Sequence, residues 1–169
     1  MTTTTTNTVS LSPTVRERVA VAAGAGVGGL VLLSFTRAIA SGSTLLAGRH
    51  DMWLAIHLAS VIPAIPLGGY ILLNRKGDGR HRVLGRIWGV MMLAAALSSF
   101  ALHGLTGRLS WIHILSIVVV IMIPRAVIQA MKHDIRGHRR TMTLTYLGLV
   151  VAGLFTFLPG RLLGSWLVG

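Results

Sequence analysis

The sequence predicts an all-α integral membrane protein, a bundle of about five transmembrane helices with its N-terminus in the cytoplasm. Of the 169 residues, 53% are apolar and 12% are charged, and the mean hydropathy is +0.72. A soluble domain usually carries about a quarter charged residues. The apolar residues form five runs, each close to the roughly 20 residues that a spanning helix needs. Short basic segments separate most of these runs, as expected for loops at a membrane surface.

The five predicted spans cover residues 19–40, 52–73, 84–105, 111–131 and 141–163. They belong to a single transmembrane domain, residues 16–169, which follows a polar, threonine-rich tail of residues 1–15. Pro63 and Pro66 interrupt the second span, and we expect both to face neighbouring helices because broken backbone is costly in lipid. The first run also has features of a secretory signal peptide, but we expect an uncleaved span.

The basic residues give the bundle a direction. The net charge is +12, from 16 Lys+Arg against 4 Asp+Glu. Eleven of the basic residues fall in the tail and in the second and fourth connections, whereas four fall on the other side. The positive-inside rule therefore places the tail and these connections in the cytoplasm. Because this pattern suits the bilayer surface, we expect lipid and not nucleic acid as the partner.

Three of the seven histidines are predicted at one depth near the outer membrane surface. His57 lies about one turn into the second span, His103 near the end of the third, and His113 at the start of the fourth. Imidazole ligates heme iron, copper and zinc. His57 and His113 are therefore candidate axial ligands of a heme, with His103 as a spare. The alternative for each is a hydrogen bond to a backbone carbonyl or to water, although an ionisable group inside a span is a functional candidate by default.

A second histidine cluster is predicted at the inner surface, where two spans begin. The motifs are His81-Arg82-x-x-Gly85-Arg86 and His138-Arg139-Arg140-x-Met142. Helix N-termini and guanidinium groups both favour anions. Two interpretations stay open. Either the arginines contact lipid headgroups, or His81 and His138 form a paired site in which the arginines hold heme propionates or a quinone head group.

Arg125, which follows Pro124, is the basic residue predicted inside a span. We expect its side chain to reach the inner interface, or else to pair with a buried anion. All four acidic residues are predicted in loops or at span ends, namely Glu17, Asp51, Asp78 and Asp134. Without an intramembrane carboxylate, neither a proton-relay transporter nor a carboxylate-pair hydrolase is supported. The lack of cysteine excludes thiolate catalysis, and no catalytic residue is predicted.

From about residue 53 to residue 163 the chain resembles a domain-of-unknown-function family of predicted bacterial membrane proteins. His57 and the two basic motifs carry this resemblance. It implies a bacterial inner-membrane location and a shared core formed by those residues. The chain is also similar to diheme cytochromes of the b561 type, in which four successive helices each carry one histidine on alternating sides. The same order is followed here by His57, His81, His113 and His138, although the shallow inner pair departs from that pattern.

Three functions are consistent with these features. The first is a protein that binds b-type heme and transfers electrons, with quinone as its partner. The second is a non-catalytic accessory or assembly subunit of a larger membrane complex, favoured by the small size and by Gly24 and Gly28, whose spacing allows close helix contact in lipid. The third is a carrier that binds a metal ion or another small ligand through the outer histidines.

Overall fold

The computed structural model describes residues 13–40, 49–102 and 111–157. Within these ranges the chain forms five helices, α1 (Pro13–Ala40), α2 (Arg49–Leu73), α3 (Gly79–Ala101), α4 (Trp111–Met131) and α5 (Ile135–Phe155). The described ranges contain no β-strand. The predicted all-α fold is confirmed, and α4 has the bounds predicted for the fourth span.

Four of the described helices are long and apolar enough to cross a membrane. The apolar segments are Glu17–Ser34 in α1, Met52–Leu73 in α2, Gly79–Ala101 in α3 and His113–Met131 in α4. The described part of α5 is less apolar because it begins with Arg136, His138, Arg139 and Arg140. The predicted fifth span ran to residue 163, and its outer part lies outside the described residues. Large apolar side chains cover the lipid-facing surface, for example Val90, Leu97 and Ile121, which are 66%, 60% and 58% exposed.

Four helices begin before their predicted spans. The structure starts α1 at Pro13, α2 at Arg49, α3 at Gly79 and α5 at Ile135, whereas the apolar runs start at residues 19, 52, 84 and 141. Proline suits the first position of a helix because its φ is already helical. The polar turns that precede the apolar runs of α3 and α5 are stabilised by N-caps.

Aspartate side chains provide these two caps. A carboxylate oxygen of Asp78 accepts a hydrogen bond of 2.7 Å from the backbone N–H of His81. Asp134 accepts one of 2.9 Å from the backbone N–H of Gly137. Such caps satisfy N–H groups that have no partner in the first helical turn. Each cap places a histidine of the inner cluster in or next to the first turn of its helix.

The helices pack as an up-and-down bundle. Each helix contacts the next one along the chain, α1 also contacts α5, and α2 reaches across to α5. Helices α2 and α4 lie opposite each other across the bundle, as do α3 and α5, and the backbones within each of these pairs are in little or no direct contact. Long side chains on two such diagonal helices can still meet in the interior of the bundle.

A tightly packed layer of two aromatic side chains lies in the middle of the bundle. Tyr146 is 1% exposed and Trp88 is 2% exposed. The indole Nε1 of Trp88 donates a hydrogen bond of 2.9 Å to the carbonyl of Ala64. Both rings lie against Gly68, where a Cβ would come within 2.6 Å of Trp88 Nε1 and 2.7 Å of the Tyr146 ring. The missing side chain at Gly68 thus lets α2 approach α3 and α5.

The orientation expected for the two prolines of α2 is wrong. Pro63 and Pro66 are exposed, and the helix continues through both of them, while the intervening Ala64 and Ile65 are buried. A proline ring is apolar and has no N–H that needs a partner. Its outward placement therefore presents no unsatisfied donor to lipid.

Substitution of Gly68 tests the central packing. Gly68→Ala is expected to lower the free energy of unfolding by about 1–3 kcal/mol, because overpacking must displace Trp88 or Tyr146. Gly148→Ala in α5 is the matched control, since a Cβ there meets open space. Unfolding in mixed detergent micelles, followed by tryptophan fluorescence, measures both variants. Equal losses in the two variants would contradict the packing role of Gly68.

Candidate functional site

The two inner histidines lie side by side at one end of the bundle. The ring centres of His81 and His138 are 6.3 Å apart, and the ring planes are at 78° to each other. The caps at Asp78 and Asp134 set the depth of both rings, and the diagonal placement of α3 and α5 brings them together. The structure thus brings together the two histidines that one of the two interpretations of the sequence paired.

A hydrogen bond fixes the tautomer of His138. Its Nδ1 lies 2.8 Å from the carbonyl oxygen of Ala126 on α4. A carbonyl oxygen only accepts, so Nδ1 carries the hydrogen and the neutral ring has its lone pair on Nε2. The Nδ1 atom of His81 is buried and has no hydrogen-bond partner among the described residues. A ring anchored through one nitrogen to a backbone carbonyl is typical of metal-ligating histidines.

His57 forms the same type of bond towards the other end of the bundle. Its Nδ1 lies 2.9 Å from the carbonyl oxygen of Ala95 and 3.2 Å from Oγ of Ser98, both on α3. The carbonyl again requires the hydrogen on Nδ1 and leaves the lone pair on Nε2. Ala95 follows His81 along α3 by a rise of roughly 21 Å, at 1.5 Å per residue. His57 and the inner histidine pair therefore lie towards opposite ends of the bundle.

His113 is buried at the outer start of α4, where it is 5% exposed. Its ring centre lies 5.9 Å from that of Phe100 on α3. One turn further along α4, Ser116 Oγ lies 2.6 Å from Ser99 Oγ. The ring contacts of the described residues include none between His57 and His113, which both lie against the last turns of α3. His103, the third outer candidate, lies outside the described residues.

Glu17 is a buried acidic residue that sequence reasoning placed at a span end. It is 4% exposed and belongs to the first candidate span. Its Oε1 accepts a hydrogen bond of 2.7 Å from Nε of Arg139, and its Oε2 lies 3.4 Å from Nζ of Lys76. These ion pairs join α1, the α2–α3 connection and α5. The signal in the sequence was a single acid between two basic residues, Arg16 and Arg18.

The arginines predicted to contact anions differ in their surroundings. Arg139 is paired with Glu17, and a terminal N–H of Arg82 donates a hydrogen bond of 3.3 Å to the carbonyl of Gly77. The other three, Arg86, Arg125 and Arg140, are exposed. In the described part of the chain, Arg125 forms no ion pair with a buried anion. Its exposure favours the interpretation in which the side chain reaches the membrane interface.

The all-helical fold and the apolar outer surface identify the chain as a small helical membrane protein. The chain belongs to the family described as Predicted membrane protein (DUF2306), whose model matches residues 54–163. This family has no known function. The match includes His57, His81, His113 and His138. No curated protein matches the chain, and no solved structure matches it. Similarity to the b561-type cytochromes is therefore not shown by these comparisons and stays a prediction.

The buried ion pair can be tested in a double-mutant cycle. Glu17→Gln is expected to lower the free energy of unfolding by about 1–2 kcal/mol, because two charge-assisted bonds are lost; the partial exposure of both cations keeps the loss small. Arg139→Gln removes the Glu17–Arg139 bond by changing the cation instead of the carboxylate. The free energy of unfolding of the double variant should therefore fall by less than the sum of the two single losses. Unfolding in mixed micelles measures all three. Strictly additive losses would show that the two side chains do not interact.

Proposed function

We propose that this protein binds b-type heme between its helices and transfers electrons across the bacterial inner membrane, with quinone as its partner. The observation that carries the proposal is the pair of histidines His81 and His138. Imidazole nitrogens are common ligands of heme iron and of other metal ions. The two rings lie on different helices with their centres 6.3 Å apart, so they are close enough to hold one bound group together.

The hydrogen bonds of the rings also fit heme ligation. His57 and His138 each donate from Nδ1 to a backbone carbonyl, so Nε2 is the nitrogen that offers a lone pair. When one ring nitrogen donates a hydrogen bond to the protein, the imidazole is held in a fixed orientation and its other nitrogen becomes a more basic ligand. The buried Nδ1 of His81 lacks a partner among the described residues. No protein hydrogen bond at this nitrogen therefore opposes a reorientation of the His81 ring towards a bound group.

We assign a second heme site to the outer half of the bundle, with His57 and His113 as its ligands. The two residues lie on the diagonal helices α2 and α4, and both contact the last turns of α3. His103 stays an alternative ligand. The rise of roughly 21 Å between the two histidine layers is a large part of the 30 Å hydrocarbon core. Two sites at these depths would carry electrons from one membrane half to the other.

Heme supplies one-electron chemistry when it is bound, and the chain contributes orientation and a dry interior. The carbonyls of Ala95 and Ala126 hold the imidazoles of His57 and His138 in position. Trp88 lies on α3 midway between His81 and Ala95, and with Tyr146 it closes the centre of the bundle to water. The exposed arginines near the inner helix starts, Arg82, Arg86 and Arg140, would pair with propionates or a quinone head group.

An optical spectrum of the purified protein tests the proposal. We expect a Soret band and, after reduction, an α band. Heme content is expected to fall by about half in His81→Gln, His138→Gln, His57→Gln and His113→Gln, because each variant removes a histidine that would hold one of the two hemes. His133→Gln is the control, since His133 lies exposed in the turn between α4 and α5. Protein expressed with ample heme that shows neither band would exclude this function.

A second candidate is a non-catalytic subunit of a larger membrane complex. Gly24 and Gly28, on which the sequence argument rested, instead pack within the bundle against Tyr146 and Ile65. The support in the structure comes from Gly26 and Gly29, which lie on the exposed face of α1 and have open space beside them. Small residues on such a face let another transmembrane helix approach closely. Purification in mild detergent is expected to retain a partner if this function is correct. A stable, isolated monomer with heme bands would favour the first candidate.

A further inference from the structure

A cleft of about 430 Å³ opens at the inner end of the bundle. The side chains that line it come from α1, the end of α2, the α2–α3 connection and α5, namely Glu17, Arg18, Leu72, Leu73, Lys76 and Arg139. His81 does not line this cleft; it borders a different one of about 150 Å³. The larger cleft is therefore separate from the histidine pair and calls for its own explanation.

Positive charge dominates the wall of this cleft. Arg18, Lys76 and Arg139 are cationic and Glu17 is anionic, which leaves two positive charges in excess. Both carboxylate oxygens of Glu17 already accept bonds from Arg139 and Lys76. The carboxylate thus acts as an internal anchor that holds two cations in place and offers little to a cation in the cleft.

The cations retain unused hydrogen-bond donors. Arg139 uses Nε to bind Glu17, so its two terminal nitrogens are not engaged by that pair. Lys76 Nζ bonds to Glu17 and to the carbonyl of Leu72, which uses two of its three hydrogens. Arg18 is exposed beside them. Guanidinium groups match the geometry of phosphate oxygens, with two parallel N–H bonds to one group.

The position of the cleft points to the headgroup region of the bilayer. Leu72 and Leu73 end the second apolar segment, so they lie where hydrocarbon meets polar headgroups. They supply an apolar edge beside the three cations. Anionic lipids also concentrate in the cytoplasmic leaflet, where basic residues attract them.

We propose that this cleft is a binding site for a phosphate-bearing anion at headgroup depth, namely the phosphate of an anionic phospholipid of the inner leaflet. Arg18 and Arg139 bind the phosphate oxygens, Lys76 adds a third cation, and Leu72 and Leu73 contact the apolar part of the lipid. Glu17 holds Arg139 and Lys76 in the orientation that binds the anion. The site does not depend on heme, so its test and the spectral test are independent.

Lipid binding to the full-length protein in detergent tests this site. Short-chain phosphatidylglycerol is the probe, phosphatidylcholine is the zwitterionic comparison, and inorganic phosphate is the soluble source of the same group. Arg18→Gln is expected to raise the Kd for phosphatidylglycerol about 3- to 10-fold, because it removes one charge-assisted contact. Arg136→Gln is the matched control, since Arg136 is an exposed arginine near the start of α5 that does not line the cleft.

The outcomes separate the possible explanations. Tighter binding of phosphatidylglycerol than of phosphatidylcholine, weakened by Arg18→Gln and not by Arg136→Gln, supports the lipid site. Inorganic phosphate that binds equally tightly and displaces the lipid would assign the cleft to a soluble phosphate compound and overturn the lipid assignment. Equal effects of the two variants, or no preference between the lipids, would overturn the site. Unfolding measurements should show that both variants remain folded, since Arg18 is not part of the Glu17 ion pairs.

Discussion

The rest of the structure depends on one constraint, which is that polar groups surrounded by lipid must find partners within the protein. The described side chains show how the bundle meets it. Glu17 binds two cations, Trp88 binds the carbonyl of Ala64, and Ser99 binds Ser116. His57 and His138 use one ring nitrogen on backbone carbonyls of neighbouring helices. Each of these bonds except the Lys76 contact joins two helices, so the polar groups that are costly in lipid also set the helix positions.

The same constraint prepares the histidines for chemistry. An imidazole in lipid satisfies its N–H on a carbonyl, and this choice leaves the other nitrogen as a lone-pair donor directed elsewhere. His57 and His138 both bond to a backbone carbonyl in this way, towards opposite ends of the bundle. The side chains of Trp88 and Tyr146 lie between these two histidines. Proteins that hold metal ions use this arrangement to orient their ligands. A structural requirement of the membrane and a requirement of metal ligation are therefore met by one hydrogen bond.

The sequence predicted most of this fold because hydropathy reports directly on lipid contact. It failed where polar residues extend a helix beyond the lipid, as at the starts of α3 and α5, since the caps at Asp78 and Asp134 leave no trace in hydropathy. Glu17 does lie at a span end, as predicted, but its burial and its ion pairs were missed because its partners, Lys76 and Arg139, lie far away in the chain. The pairing of His81 with His138 followed from the predicted topology, since both residues lie where a helix begins on the same side. The carbonyl groups that accept hydrogen bonds from the histidines could not be predicted, because every residue has a carbonyl and the sequence does not show which one lies nearby.

The start of α5 links the lipid cleft to the inner histidine pair. His138 and Arg139 are consecutive, so their side chains point about 100° apart around the helix. His138 bonds to Ala126 on α4, while Arg139 bonds to Glu17 on α1. These two bonds hold the first turns of α5 from opposite neighbours. A phosphate bound by the terminal nitrogens of Arg139 would leave Nε on Glu17, so both attachments of the first turns of α5 would remain with the lipid in place. The depth of the inner histidine pair is thus set by the Asp134 cap within α5 together with these two bonds to neighbouring helices.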